Sequence, residues 1–129
     1  MTYLIDTDFV IDYLKGKPDT VKILTSFLNK GLAINIITYG EVYEGIYYGH
    51  DPKQAERGFL QFLRGVNVLV LNKTVMKQFA YIRGNLRKKG KIIGDPDIMI
   101  AASAIVNGLT LMTRNTKDFQ KIEGLKLFS

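Results

Sequence analysis

Tyr3-Leu4-Ile5-Asp6-Thr7-Asp8-Phe9-Val10-Ile11-Asp12-Tyr13-Leu14 is the stretch that decides the fold. Its first three residues read as a short buried strand, and Phe9 to Leu14 as a compact helix ended by Lys15-Gly16. A strand running straight into a helix is a βα unit. At the joint stands Asp6, and a carboxylate flush against a buried strand needs a hydrogen-bonding partner or a metal, because an unpaired buried charge is costly.

Outward from this unit the same alternation continues. Pro18 suits the first turn of a second helix, whose Val21, Leu24, Phe27 and Leu28 recur at helical spacing before Gly31 stops it. Residues 32–36 read as a strand. The spacing of Val42, Tyr43, Ile46 and Tyr47 predicts a helix over 38–49, and Asp51-Pro52 begins another that carries Ala55, Phe59, Phe62 and Leu63. Residues 66–71 form the next strand. Val75, Phe79, Ile82 and Leu86 mark the longest amphipathic helix, 74–89, with Arg83, Arg87, Lys88 and Lys89 on its outer face. Gly94-Asp95-Pro96 predicts a helix start with Asp95 as N-cap and Pro96 at N1, running through apolar residues to Val106. Residues 109–112 and 125–128 supply two last short strands. Alternating strands and helices predict an α/β fold, a three-layer α/β/α sandwich with a mostly parallel central sheet, as one domain over 1–129.

Composition narrows the function. The chain has 129 residues, 47% hydrophobic, enough for a continuous core without disulfides. It has no cysteine, which excludes thiol catalysis and cysteine-ligated metal centres and fits a cytoplasmic location. No apolar run reaches the roughly 18 residues of a membrane span, and the start lacks the features of a signal peptide. With 18 Lys and Arg against 12 Asp and Glu, the net charge of +6 favours a polyanionic partner.

The acids fall in a pattern. Asp6 ends the first strand, Glu41 opens the helix after the second, Asp97 opens a late helix, and Asp118 follows the strand 109–112. That edge of an open α/β sheet is where ligands bind, and carboxylates converging there raise one another's pKa unless a cation sits among them. Mg²⁺ or Mn²⁺ suits such an all-oxygen site. Each acid also has a purely structural reading at a helix start. Thr38-Tyr39-Gly40-Glu41 matches a capping box, Asn115-Thr116-Lys117-Asp118 is a near relative of one, and Asp97 fits a first-turn residue.

Four segments together carry a resemblance: residues 4–14, the run Ile37-Thr38-Tyr39-Gly40-Glu41-Val42, the run Gly94-Asp95-Pro96-Asp97-Ile98-Met99-Ile100-Ala101-Ala102, and residues 111–119. In order and interval they resemble the motifs of the PIN domain, as in VapC-type toxins. The resemblance implies a ribonuclease dependent on Mg²⁺ or Mn²⁺, a homodimer, and a cognate antitoxin whose peptide blocks the active site. It assigns metal and catalysis to Asp6, Glu41 and Asp97, with Thr7 as a supporting hydroxyl. The fourth ligand falls to Asp118 or Asn115. Asp8 stands where Asn is common, and Asp95 is an additional acid.

An acidic pocket repels RNA, so cations around it must hold the strand. Arg83, Arg87, Lys88, Lys89, Lys91 and Arg114 are the candidates for phosphate contacts. Tyr39, Tyr43, Tyr47 and Tyr48 are positioned to stack on bases or form an interface, with core packing expected for at least two. His50 reads as a loop tip without a catalytic role. Two other readings remain. Asp6-Thr7-Asp8-Phe9-Val10 fits the nucleophile motif of haloacid-dehalogenase-like phosphatases, with Asp8 as acid/base. The basic surface alone fits a non-catalytic RNA-binding module.

Overall fold

A computed structural model describes residues 1–129. Five strands, β1 (Tyr3–Ile5), β2 (Leu32–Asn35), β3 (Val66–Leu69), β4 (Thr110–Met112) and β5 (Lys126–Leu127), form one sheet in the order β3-β2-β1-β4-β5, every pair parallel. Seven α-helices connect them: α1 (Thr7–Leu14), α2 (Pro18–Phe27), α3 (Ile36–Tyr47), α4 (Pro52–Leu63), α5 (Lys73–Lys88), α6 (Asp95–Val106) and α7 (Thr116–Phe119). The expected sandwich is present, with the sheet wholly parallel.

Alternation along the strands divides the core into two layers. Leu4, Ala33 and Leu111 point into one, where they meet Val75, Ile82, Leu86 and the apolar face of α6. Ile5, Leu32, Ile34 and Met112 point into the other, against Phe9, Val10, Leu24, Val42, Phe59 and Phe62. Strands this short and apolar on both faces are stable only between two helix layers. Gly31 closes the turn into β2 at φ +83, and a Cβ there would lie 2.9 Å from the Met1 Cα. Only glycine fits that approach.

Two helix starts differ from the sequence reading. α3 begins at Ile36, two residues before Thr38, because the buried side chain of Asn35 caps it by accepting from the Ile37 N–H at 2.8 Å. Thr38 and Glu41 therefore lie inside the helix, and the capping-box reading of that pair falls. α6 is capped by Gly94 rather than Asp95, which places Asp95, Pro96 and Asp97 in the first turn. Asp95 turns outward instead, to Arg83 at 2.9 Å.

The strand order fixes where a ligand can enter. From β1 the chain builds outward to β2 and β3, then crosses back so that β4 pairs on the other side of β1. Successive connections leave β1 and β4 in opposite directions, which opens a crevice at their carboxyl ends.

Candidate active site

Asp6 and Thr113 are the residues that immediately follow β1 and β4, so they meet at this crevice. Thr113 donates its hydroxyl to Asp6 Oδ2 at 2.7 Å, and the Thr7 N–H donates to Oδ1 at 2.8 Å. Only 6% of Asp6 is exposed. Burial is the main reason its pKa is raised, to about 6; the nearby charges of Asp8 and Asp97 push the same way, against the two hydrogen bonds.

Asp8 lies one helical residue on. It accepts from the Phe9 N–H at 2.7 Å and from the Arg114 N–H at 3.0 Å, which ties the start of α1 to the loop after β4. Its pKa is also raised, first by burial. Asp97, half-buried in the first turn of α6, is raised by burial and then by Glu41, Asp118 and Asp8. The charges of Asp8, Glu41 and Asp118 thus all reach Asp97, which brings carboxylates from α1, α3, α6 and α7 to one cleft.

Glu41 reaches the cleft from the second turn of α3. Thr7 donates to its Oε1 at 2.6 Å. The Thr38 oxygen lies 3.0 Å from that of Thr7, and since Thr7 has one proton, already given to Glu41, Thr38 donates to Thr7. Thr7 is therefore a support for Glu41. Thr38 is fully buried, so its role is to brace this pair.

At the open end, Asp118 and Asn115 occupy the site together. The Asn115 side-chain amide donates to Asp118 Oδ2 at 3.1 Å, and Lys121 donates to Oδ1 at 3.2 Å. Those two hydrogen bonds lower the Asp118 pKa. Asn115 also donates its backbone N–H to the Thr113 hydroxyl oxygen at 3.0 Å. No side-chain cap is made at this helix start, so the Asn115–Asp118 contact is not a capping box.

The cations expected to hold substrate divide sharply. Arg114 is engaged with protein: its guanidinium sits 4.4 Å from the centre of the Phe9 ring, pairs with Asp12 and Asp19 at 3.4 Å each, and donates to Thr20. It fastens the loop after β4 onto α1 and α2. Arg83 pairs with Asp95, and Lys89 with Glu123. Arg87, Lys88 and Lys91 make no ion pair. Among the tyrosines, Tyr39 and Tyr43 pack on Phe59, with Tyr43 donating to Glu56 at 2.7 Å, while Tyr47 and Tyr48 are exposed. His50 lies exposed between α3 and α4.

Sequence reasoning missed Thr113, Thr38 and Asn35. Asn35, besides capping α3, donates its side-chain amide to Ser103 on α6, and so sets the helix of Asp97 against the strand that leads to Glu41. The available signal was position: each is a small polar residue inside or just past an apolar run at the carboxyl edge of the sheet.

The cleft offers a divalent cation a donor set of carboxylates. No three carboxylates converge on one point as a ready cage. The set nevertheless fits a hard ion, because every donor is oxygen, and the charge of Asp97 is among the causes that raise the proton affinity of Asp6, while Glu41, Asp118 and Asp8 raise that of Asp97. A phosphatase reading fits poorly: Asp8 is held by two backbone N–H groups and Glu41 would have no part.

Comparison with known proteins identifies the family and the fold. The PIN domain family profile matches residues 3–125. Ribonuclease VapC1 of Haemophilus influenzae is 31% identical over 128 residues, covering 98% of this chain and 96% of that protein. Among solved structures, VapBC2 from Rickettsia felis bound to a DNA fragment from their promoter superposes with a TM-score of 0.91 at 26% identity, covering 99% of this chain and 98% of that one. A toxin-antitoxin complex from Klebsiella pneumoniae gives a TM-score of 0.78 at 28% identity, covering 96% and 95%.

Proposed function

Because the chain belongs to the PIN-domain family, we propose that it is an endoribonuclease that hydrolyses RNA phosphodiester bonds at the Asp6–Asp97 cleft, and that it is the toxin of a toxin–antitoxin pair. The observation that carries the site is the pair Asp6 and Asp97, held at the sheet's crevice with raised pKa values, neither making an ion pair. Neither a phosphatase nor a binding module without catalysis uses all of Asp6, Glu41 and Asp97.

Asp6 and Asp97 would hold a divalent ion, Mg²⁺ or Mn²⁺, with Asp118 and Glu41 contributing through water. Such an ion supplies neutralisation of the phosphate and an activated water. The chain's own part is positional. Thr113 fixes the Asp6 carboxylate, Asn115 orients Asp118, and Thr7, braced by Thr38, aims Glu41. Glu41 is exposed and carries one hydrogen bond, so it is the group with capacity to accept the proton of the attacking water. In-line attack leaves a 5′-phosphate and a 3′-hydroxyl.

The acidic cleft also explains inhibition. A peptide bringing a cation into the cleft would neutralise Asp6 and Asp97 without permitting hydrolysis, which is the role proposed for the cognate antitoxin. A homodimer is proposed on the family likeness alone. No helix is long and apolar enough to cross a membrane, and action in the cytoplasm is proposed with the RNA substrate.

The test is cleavage of a mixed RNA pool by purified protein with Mn²⁺, beside Asp6→Asn and Asp97→Asn. Equal activity in all three sinks the site. Growth arrest on expression, relieved by the co-expressed antitoxin, tests the toxin role separately.

A further inference from the structure

We propose that the concavity between the C-terminal half of α5 and the segment 89–94 holds the RNA strand beside the scissile bond, with Arg87 and Lys91 on its phosphates and the exposed Ile92 against ribose or base. This rests on the ribonuclease reading above. The cavity measures about 430 Å³, in the range of ligand sites, and its lining includes Arg83, Arg87, Lys91, Ile92, Ile93 and Asp95. Asp95 and the catalytic Asp97 lie in the same first turn of α6, so the cavity adjoins the cleft.

Three observations point to a polyanion. The one acid in the lining, Asp95, is already paired with Arg83, while Arg87 and Lys91 make no ion pair. The geometry is also fixed. Gly90 adopts φ +67, the Gly90 N–H bonds to the Arg87 carbonyl at 3.1 Å, and the Lys91 N–H to the Leu86 carbonyl at 2.9 Å. This Schellman arrangement sets Lys91 beside the last turn that carries Arg87. Cations in a last turn also offset the helix dipole, but Lys91 lies beyond the helix, and dipole compensation gives no reason for Ile92 to stand 88% exposed beside it. Unpaired cations with an exposed apolar side chain form the groove that single-stranded nucleic acid uses, charge on the backbone and a flat apolar contact for the base. A strand repelled by the acids of the cleft needs such a hold next to it.

The experiment measures cleavage by the full chain with Mn²⁺ on two substrates, a long unstructured RNA and a trinucleotide that has few phosphates to offer the groove. Arg87→Glu/Lys91→Glu is compared with Lys22→Glu/Lys30→Glu, an equal charge change in the helix layer on the other side of the sheet. Loss of two single-strand phosphate contacts should raise KM for the long RNA about tenfold at unchanged kcat, and flatten its salt dependence by about 1.4 in log–log slope. The rise in KM should be smaller for the trinucleotide than for the long RNA, and the control should shift KM less than about twofold. Equal losses in both double variants overturn the groove, because net charge then explains them. So does a changed sedimentation mass with KM for the long RNA unaltered, which marks a surface between copies of the chain. A wild-type protein that cuts neither substrate overturns the ribonuclease reading itself.

Discussion

Asp6 and Asp118 are the same side chain at two ends of one cleft, and their surroundings drive them in opposite directions. Asp6 is enclosed by the sheet edge, where the two hydrogen bonds it receives do not offset burial, and its pKa rises to about 6. Asp118 stands at the partly exposed rim, and Asn115 and Lys121 hold its pKa below the ordinary value. The comparison separates two jobs. A buried carboxylate without a counter-charge is unfavourable until a cation arrives, so binding energy is stored at Asp6. One already neutralised by lysine gains little from an ion and is suited to orientation at the rim.

The largest break in this contrast is removal of charge at the buried end. Asp6→Asn keeps an oxygen for the Thr7 N–H, so the fold should survive, and ribonuclease activity should fall at least about a hundredfold, the loss that even an outer partner of a metal ligand causes. Asp97→Asn should match it. Retained activity in either variant, measured with labelled RNA, would falsify the pairing of these two acids.

Stability gives the next largest effect, with its sign fixed by the pKa. In the metal-free protein the folded carboxyl of Asp6 keeps its proton up to about pH 6, against 3.8 ordinarily. The folded state is therefore favoured below about pH 4, and that advantage is lost as pH rises through about 6, a difference worth about 3 kcal/mol. Thermal melts in EDTA should show Tm rising as pH falls from 8 to 5. Asp6→Asn should flatten most of that slope and be the more stable protein at pH 8. Asp8 and Asp97 are shifted in the same direction, so a residual slope should remain. Identical slopes in variant and wild type would show that Asp6 is not the stressed group.

Thr113 couples the two ends, since its hydroxyl donates to Asp6 and accepts from the Asn115 N–H. Thr113→Val keeps the shape and removes both bonds. Activity should drop tenfold to a hundredfold, and the pH at which the metal-free Tm falls should move upward, because Asp6 loses the bond that lowers its pKa most. A loss of activity with no change in that pH dependence would mean Thr113 acts through the loop alone.

How much of this was legible in the sequence follows the same division. Asp6, Glu41, Asp97 and Asp118 stand out in the sequence because acids recur near strand ends and helix starts, and the fold is legible because apolar runs of strand length alternate with helical periods. The hydroxyl and amide scaffold is not. Thr38 and Asn35 sit in an apolar run, and α3 starts two residues before the capping box at Thr38 suggests because the side chain of Asn35, which the pattern assigns to the strand, caps it. The basic residues show the other limit. Arg114 and Arg87 look alike in a chain, and only the packing of Asp12, Asp19 and Phe9 against one of them distinguishes a clamp from a free cation.

The smallest expected effect sharpens the rim. If Asp118 orients rather than binds, Asp118→Asn should cost less than about tenfold in activity, below the loss at Asp6, because a partly exposed and already paired carboxylate contributes little. Lys121→Ala tests the same point from the other side. Without its lysine, Asp118 loses part of what holds its proton affinity down and becomes available to an ion, so the Mn²⁺ concentration for half-maximal activity should fall slightly. An increase would instead place Lys121 on the substrate, and a loss for Asp118→Asn as deep as that for Asp6→Asn would make the rim acid a full ligand, removing the distinction between the two ends of the cleft.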